Sequence, residues 1–278
     1  METRANSTAG RNFFYISAAL LLAAYLPALF DLISDWYNDP NYSHGFLVPA
    51  ISGYLIWKKR EELSEIGQSV RTSGIFIIIA GIFLFIIGNA ASEYFTVRFS
   101  LVLTLFGLVL FYFGPGIIRR TWFEIAFLLF MIPIPYVIYF SVTFPMQLLA
   151  SKVTVFLLEG LGMAVIRQGN IIHLAGHSLE VAEACSGLRS LISLLALGAV
   201  YGYLTQPRFS GKVILFLSTI PIAVLGNVFR VFLTSLIVYA YDIDVTVEPT
   251  HTILGASVFV VAFIMLFIFG AIVKKVLK

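Results

Sequence analysis

Long apolar segments, separated only by short polar stretches, are the feature that most limits what this 278-residue chain can fold into. Runs such as residues 74–91 and 213–241 approach or exceed the roughly 20 residues that a helix needs to cross a bilayer. Inside hydrocarbon each backbone N–H and C=O must be paired within its own segment, which favours helices. Only 12% of the residues are charged, against about 25% in soluble domains. The sequence therefore predicts an all-α polytopic membrane protein.

The basic residues lie mainly at the ends of these apolar segments, as residues that set membrane topology do. With every basic cluster on the cytoplasmic side, residues 141–166 cannot cross, and their scattered polar side chains favour an interfacial helix. A nine-span arrangement would place one basic cluster outside. The sequence predicts about eight transmembrane helices in one integral membrane domain, residues 1–278. The predicted spans are residues 13–30, 42–57, 74–91, 95–113, 119–140, 185–204, 213–241 and 251–273.

Residues 167–183 form the most polar stretch in the second half of the chain. Turn-forming residues occur at Gly169-Asn170 and at Gly176, and the residues on either side of Gly176 partly alternate in polarity. This pattern predicts a small β-hairpin on the extracytoplasmic face. The hairpin would deliver Cys185 to the outer boundary of the membrane.

Cys185 is the only cysteine in the chain, and it lies where the polar stretch meets a long apolar run. If that run is a helix, its free N–H groups and its dipole lower the pKa of a thiol in or before the first turn. Arg189, four residues later, falls on the same helical face and acts in the same direction. A lone cysteine in an apolar chain is more often a small hydrophobic residue, but these neighbours favour a nucleophile. Glu183 is a supporting residue by position.

Arg230 lies well inside an apolar segment, where a cation costs about 2.5–3.5 kcal/mol on insertion scales. It therefore needs a partner or a polar cavity. One interpretation is an electrophilic group in an active site, and the alternative is a structural pair with an acidic or carbonyl partner, such as Glu124 or Glu159. Asn227, three residues earlier, lies on the same helical face. An amide and a guanidinium thus point into one volume.

Three of the four histidines have weaker signals. His44 stands at the outer end of the second predicted span, where it could line a substrate groove or anchor a helix end. His173 and His177 have the spacing of a helical metal pair, but Gly176 and the strand pattern argue against zinc. We expect no metal and no cofactor. The net charge of +3 is too small to suggest a nucleic-acid partner.

His251 follows a polar stretch and begins the last apolar run, where Thr250 could cap the helix. A histidine at such a helix start is more often a surface or capping residue. The topology, however, puts His251 on the same outer side as Cys185 and Arg230. Together these residue types allow acyl transfer by a thiolate, with an acid–base group and a cation that stabilises an oxyanion.

Four motifs occur in the order found in one enzyme family. They are Tyr42-Ser43-His44-Gly45-Phe46-Leu47-Val48-Pro49, Ala184-Cys185-Ser186-Gly187-Leu188-Arg189-Ser190-Leu191, Gly226-Asn227-Val228-Phe229-Arg230, and His251. Over roughly residues 42–255 the chain resembles the exosortase/archaeosortase family of membrane-embedded, sortase-like cysteine transpeptidases. The resemblance implies that Cys185, Arg230 and His251 are the catalytic residues.

The resemblance also implies the substrate and the location. Substrates would be secreted proteins with a C-terminal sorting signal, made of a short motif such as Pro-Glu-Pro, a transmembrane helix and a basic tail. The enzyme would lie in a bacterial inner membrane with its active site on the extracytoplasmic side, and the acceptor amine is not specified. Two alternatives stay open. An intramembrane cysteine peptidase would use water instead of an amine, and a transporter could also bury an arginine, although no internal repeat supports one.

Overall fold

The computed structural model describes residues 2–67, 69–174, 176–181, 188–241 and 250–277, with the side chains of 2–11, 188–190, 250–254 and 257–258 left out. The described chain is mostly helical, as predicted, with one small sheet. It divides into two compact units, Met1–Pro135 and Tyr136–Lys278.

The first unit is built from α-helices and two 3₁₀ helices. The α-helices are α1 (Glu2–Ala24), α2 (Leu26–Asn38), α3 (Leu47–Lys58), α4 (Arg60–Glu65), α5 (Ser73–Ala90) and α6 (Tyr94–Phe127), and the 3₁₀ helices are Pro40–Phe46 and Leu128–Met131. Helices α5 and α6 pack closely because the buried residues of α5 are glycines at every seventh position. A Cβ atom at the central one, Gly81, would collide with the Thr104 side chain of α6. Small residues allow this approach in membrane helices.

Helix α6 consists of two helical segments that meet at a kink in its middle. Gly114 adopts a left-handed φ of 80°, and Pro115 follows it. Pro115 has no N–H to donate to the carbonyl of Phe111, four residues earlier. The N–H of Arg71 donates to Phe111 O instead, at 3.1 Å. A segment from outside the helix thus pairs the carbonyl that the bend leaves free.

The second unit combines helices with a three-stranded sheet. Its helices are α7 (Tyr136–Gly160), α8 (Leu188–Thr205), α9 (Phe209–Tyr241) and α10 (Thr250–Val276), and its strands are β1 (Ile166–Gln168), β2 (Ile171–Leu174) and β3 (His177–Glu180). The sheet is antiparallel in the order β1-β2-β3. The predicted hairpin around Gly176 is therefore confirmed as β2 and β3, and β1 adds a strand that the sequence did not predict.

Within the described residues, five helices are long and apolar enough to cross a membrane, and a sixth span results if the bent pair α1 and α2 counts as one. The five are Ser73–Ala90, Tyr94–Met131, Tyr136–Gly160, Phe209–Tyr241 and Phe259–Val276. The apolar part of α8 with described side chains, Leu191–Thr205, is shorter than a span. The predicted eight spans are thus not confirmed.

Two predicted spans differ from the observed helices. The predicted span 42–57 is a 3₁₀ helix followed by α3, whose 12 residues extend only about 18 Å. That length is well short of the hydrocarbon core of about 30 Å. The predicted boundary between spans 95–113 and 119–140 falls at the kink of α6, where Gly114 leaves helical geometry, but the predicted span 119–140 is interrupted at residues 132–135.

The predicted interfacial helix 141–166 is also different in the structure. Its residues belong mostly to α7, which starts directly after Pro135 and runs for 25 residues. Its length and composition are compatible with a span. The proline break therefore falls before residue 136, and the predicted non-crossing helix is not confirmed.

The glycine contact between α5 and α6 gives a test of the first unit. We expect Gly81→Ala to lower the unfolding temperature in detergent, because the added methyl group meets Thr104 at a helix contact that cannot open without loss of packing. Gly53→Ala in α3 is the control, since no atom lies within 4 Å of a Cβ there. Alanine should stabilise that helix by up to about 1 kcal/mol. Equal unfolding temperatures for the two variants would contradict this packing.

Candidate functional site

Of the predicted catalytic residues, Arg230 and His251 lie on described helices of the second unit. Cys185 and Glu183 fall within residues 182–187, outside the described chain. Arg189 lies in the first turn of α8, and His251 lies in the first turn of α10, as predicted for both helices. For these two residues the structure describes the backbone alone.

Arg230 is half-buried on α9, and its side chain faces α10. A Cβ atom on Gly255 would lie 3.5 Å from Arg230 Nη2 and 3.7 Å from Cζ. Gly255 follows His251 by four residues, so both lie on one face of α10, about one turn apart. The guanidinium therefore lies beside the stretch of α10 that continues from His251.

The acidic residues that could have paired with Arg230 have other surroundings. Glu124 is fully buried on α6, and its Oε1 forms a salt bridge with Lys59 Nζ at 2.7 Å. Glu159 is exposed near the end of α7. Lys59 is therefore the ion-pair partner that the structure shows for Glu124.

Asn227 is a buried polar residue one turn before Arg230. Its exposed fraction is only 3%, and neither Oδ1 nor Nδ2 has a hydrogen-bond partner among the described residues. A buried polar group without a partner costs about 1–3 kcal/mol. Next to an intramembrane arginine, such a group is typical of a functional site rather than of a packing core.

A hydrophobic cluster connects the sheet to α7 and α9. Val181, the last described residue before the 182–187 segment, is 2% exposed and belongs to this cluster. Val231 of α9 is also a member of the cluster, and Val228 packs against the cluster. Residues on both sides of Arg230 in the sequence therefore contact this core. The cluster consists of Ala150, Val155, Leu158, Val165, Ile172, Leu174, Val181, Val231 and Val238. Residues 182–187, the cysteine segment, therefore follow directly on a residue of the core that also contains part of α9.

His44 lies in the 3₁₀ helix Pro40–Phe46 of the first unit, where it contacts the 3₁₀ helix Leu128–Met131 that follows α6. Its Nε2 is 3.1 Å from Phe130 O. Because a carbonyl can only accept, Nε2 carries the proton. Trp36 Nε1 donates to the next carbonyl, Met131 O, at 2.8 Å. Both rings thus pair carbonyl groups that the ending helix leaves free, which supports an anchoring role for His44.

His173 and His177 do not have the helical spacing that a metal pair would need. His173 and His177 lie on neighbouring strands, and His173 Nδ1 is 2.8 Å from Ser178 Oγ. Among the described residues no group of three or more His, Cys, Asp or Glu side chains could hold a metal ion.

These observations define a class of protein: a polytopic helical membrane protein whose second unit holds a polar site of arginine and asparagine beside a small sheet. A comparison with family models specifies it further. The model of the transmembrane exosortase family (Exosortase_EpsH) matches residues 36–268. The chain therefore belongs to the transmembrane exosortase family, as its motifs predict. No curated protein and no solved structure matches it.

Family membership gives the site a general chemistry. Transmembrane exosortases are membrane-embedded cysteine peptidases or transpeptidases, and they process secreted proteins at a sorting signal. The apolar helices and the family together identify this chain as an integral membrane protein.

The contact of His44 with the end of α6 predicts a pH effect on stability. Burial lowers the pKa of His44 from 6.5, although backbone hydrogen bonds partly oppose this shift. The folded state therefore binds a proton less readily than the unfolded state. The contribution of neutral His44 to stability is complete above about pH 6.5 and is lost as the pH falls below that value.

Unfolding temperatures of two variants test this effect. His44→Gln keeps a donor near the Nε2 position and should remove the pH dependence. His44→Leu removes the donor to Phe130 O and should lower the free energy of unfolding by about 1–3 kcal/mol at neutral pH. Wild-type stability in His44→Leu, or an unchanged pH dependence in His44→Gln, would show that the contact has no such role.

Proposed function

We propose that this protein is a cysteine transpeptidase that cleaves secreted proteins at a C-terminal sorting signal and transfers the acyl group to an amine. The signal consists of a short motif of the Pro-Glu-Pro type, a transmembrane helix and a basic tail. Cys185 is the nucleophile, His251 the acid–base group and Arg230 the cation that stabilises the oxyanion. The observation that carries the proposal is the position of the Arg230 guanidinium against α10, one turn from His251.

The length of the chain around Cys185 supports its place in the same site. Cys185 comes four positions after Val181 in the sequence, and an extended chain of that length covers at most about 14 Å. Val181 and Val231 belong to the same hydrophobic cluster, and Val228 packs against that cluster. On the other side, α8 begins three residues after Cys185. Both anchors support a position of the cysteine near Arg230.

The proposed reaction has two halves. In the first, the Cys185 thiolate attacks the scissile carbonyl carbon, and the negative charge that forms on oxygen is stabilised by Arg230. The C–N bond then breaks, the leaving amine takes a proton from His251, and a thioester remains on Cys185. In the second half, His251 removes a proton from the acceptor amine, which attacks the thioester. The new amide forms and the thiolate leaves.

Three further residues support the proposed reaction. Arg189, four residues after Cys185, favours the thiolate because a nearby cation lowers the pKa of a thiol. Asn227 offers an amide that the described residues leave without a hydrogen bond, so it is available to a reacting group or to the cysteine segment. Glu183 lies two residues before Cys185 and supports the site by position.

The proposed membrane arrangement fits the substrate. Basic clusters on the cytoplasmic side put Cys185 and His251 at the extracytoplasmic boundary of the inner membrane. The scissile bond of a membrane-anchored signal lies just outside its own anchor helix. Enzyme and substrate then present the reacting groups at the same depth.

Processing of a co-expressed substrate tests the proposed function. We expect Cys185→Ala to abolish cleavage of a secreted protein that carries the three-part signal, at equal levels of membrane-inserted enzyme. Arg230→Lys keeps the positive charge but loses the planar fork, and it should lower the cleavage rate about 100-fold to 1000-fold, as loss of an oxyanion donor does. Cleavage that continues in Cys185→Ala would refute the cysteine mechanism.

The mass of the product separates transfer from hydrolysis. Transpeptidation leaves the new C-terminus joined to an amine, whereas attack by water leaves a free carboxylate. We expect the first product. Finding only the free carboxylate would identify an intramembrane cysteine peptidase with the same nucleophile.

A further inference from the structure

Two polar side chains on α7 hold the turn between β1 and β2. Ser151 Oγ donates to Gly169 O at 3.0 Å, and Gln147 Oε1 accepts from Asn170 Nδ2 at 3.3 Å. Gln147 and Ser151 are four residues apart on one face of the helix, and both are buried. Such residues are costly in an apolar helix unless they are paired. Here their partners belong to the sheet.

Asn170 also fixes the end of the sheet that leads to the cysteine. The N–H of Val181 donates to Asn170 O at 2.9 Å, and Asn170 Nδ2 lies 3.4 Å from Val181 O. In the register of β2 and β3, Ile171 faces Glu180, so Asn170 and Val181 are the next pair. Both polar backbone groups of Val181 are therefore held by one residue.

Asn170 thus has contacts in two directions. It ties the β1–β2 turn to Gln147 of α7, and it holds Val181, from which the chain continues to Cys185. The contacts lie in a buried region, where hydrogen bonds are electrostatically stronger than in water. A residue so placed determines where the cysteine segment begins relative to the helices.

We propose that Asn170 is a positioning residue for the cysteine site, acting through Val181; this inference rests on the proposed function. Asn170 does not touch the substrate. It fixes the start of the segment that carries the nucleophile, and its loss displaces Cys185 from Arg230 and His251. A displacement of about 1 Å at a reacting group is enough to cost up to about 100-fold in rate.

Two substitutions separate the two contacts. Asn170→Asp removes the donor to Val181 O and places a carboxylate beside that carbonyl. The Gln147 amide can rotate and donate Nε2 to the new carboxylate, so the tie to α7 is retained. Gln147→Leu does the reverse, because it removes the tie to α7 and leaves the contact with Val181. Gln168→Ala is the matched control, since Gln168 is an exposed residue of the same small sheet.

The reactivity of Cys185 gives a measurement that does not need catalysis. Because the chain has one cysteine, iodoacetamide labelling of the full-length protein in liposomes reports on that thiol alone. We expect Asn170→Asp to shift the pH midpoint of labelling and to lower kcat by about tenfold to 100-fold with little change in KM. Gln168→Ala should match the wild type, and Gln147→Leu should mainly lower the unfolding temperature. Asn170→Ala serves as a second variant if the aspartate does not fold.

A purely structural role predicts a different result. Asn170→Asp would then lower the unfolding temperature as Gln147→Leu does, with the labelling profile and kcat of the folded fraction unchanged, and that result would overturn the inference. The proposed function fails separately. Cleavage that survives in Cys185→Ala, together with a shifted labelling profile in Asn170→Asp, would refute the cysteine mechanism and leave the positioning of the thiol intact.

Discussion

Hydrocarbon offers no hydrogen-bond donors or acceptors, so a membrane chain must pair its buried polar groups within the protein. Several features of this structure are solutions to that requirement. The bend of α6 leaves Phe111 O without its helical donor, and Arg71 N–H replaces it. The end of the same helix leaves two carbonyls that accept from Trp36 and His44. Each irregularity in a helix is thus matched by a polar group from another segment.

The second unit follows the same rule only in part, since Thr154 Oγ1, Gln206 Oε1 and the whole side-chain amide of Asn227 have no hydrogen-bond partner among the described residues. Gln147 and Ser151 of α7 pair with the β1–β2 turn. Asn227 is as deeply buried, yet the described residues supply no partner for its amide. It lies one turn from Arg230, the residue whose depth in an apolar segment first indicated a functional role. A buried amide without a partner in the described part of the chain thus lies one turn from the residue to which the proposed function assigns the oxyanion.

The parts of the fold that local sequence determines were predictable. Gly176 between partly alternating residues predicted β2 and β3, and the polar-to-apolar transition at Thr250 predicted the start of α10. The motif around Arg230 also identified the family. These signals depend on residues close together in the chain, which is why they can be read without a structure.

The number of spans was not predictable in the same way. At the kink of α6 a distant N–H, that of Arg71, pairs the carbonyl of Phe111, and no local pattern reveals such a donor. The role of Asn170 was missed for a similar reason, since its partners Gln147 and Val181 are 23 and 11 residues away. The polar pair Gln147 and Ser151, four residues apart in an apolar helix, was the available signal.

The central claim is that Cys185 lies in one site with Arg230 and the His251 face of α10. Cross-linking tests it most directly, because Cys185 is the only native cysteine. Gly255→Cys places a second thiol beside the Arg230 guanidinium, and Ile268→Cys places one on an exposed position about 20 Å further along the same helix. A short bismaleimide should join Cys185 to residue 255 and not to residue 268. Linkage to residue 268 alone, or to neither position in protein that is fully labelled at both thiols, would contradict the account.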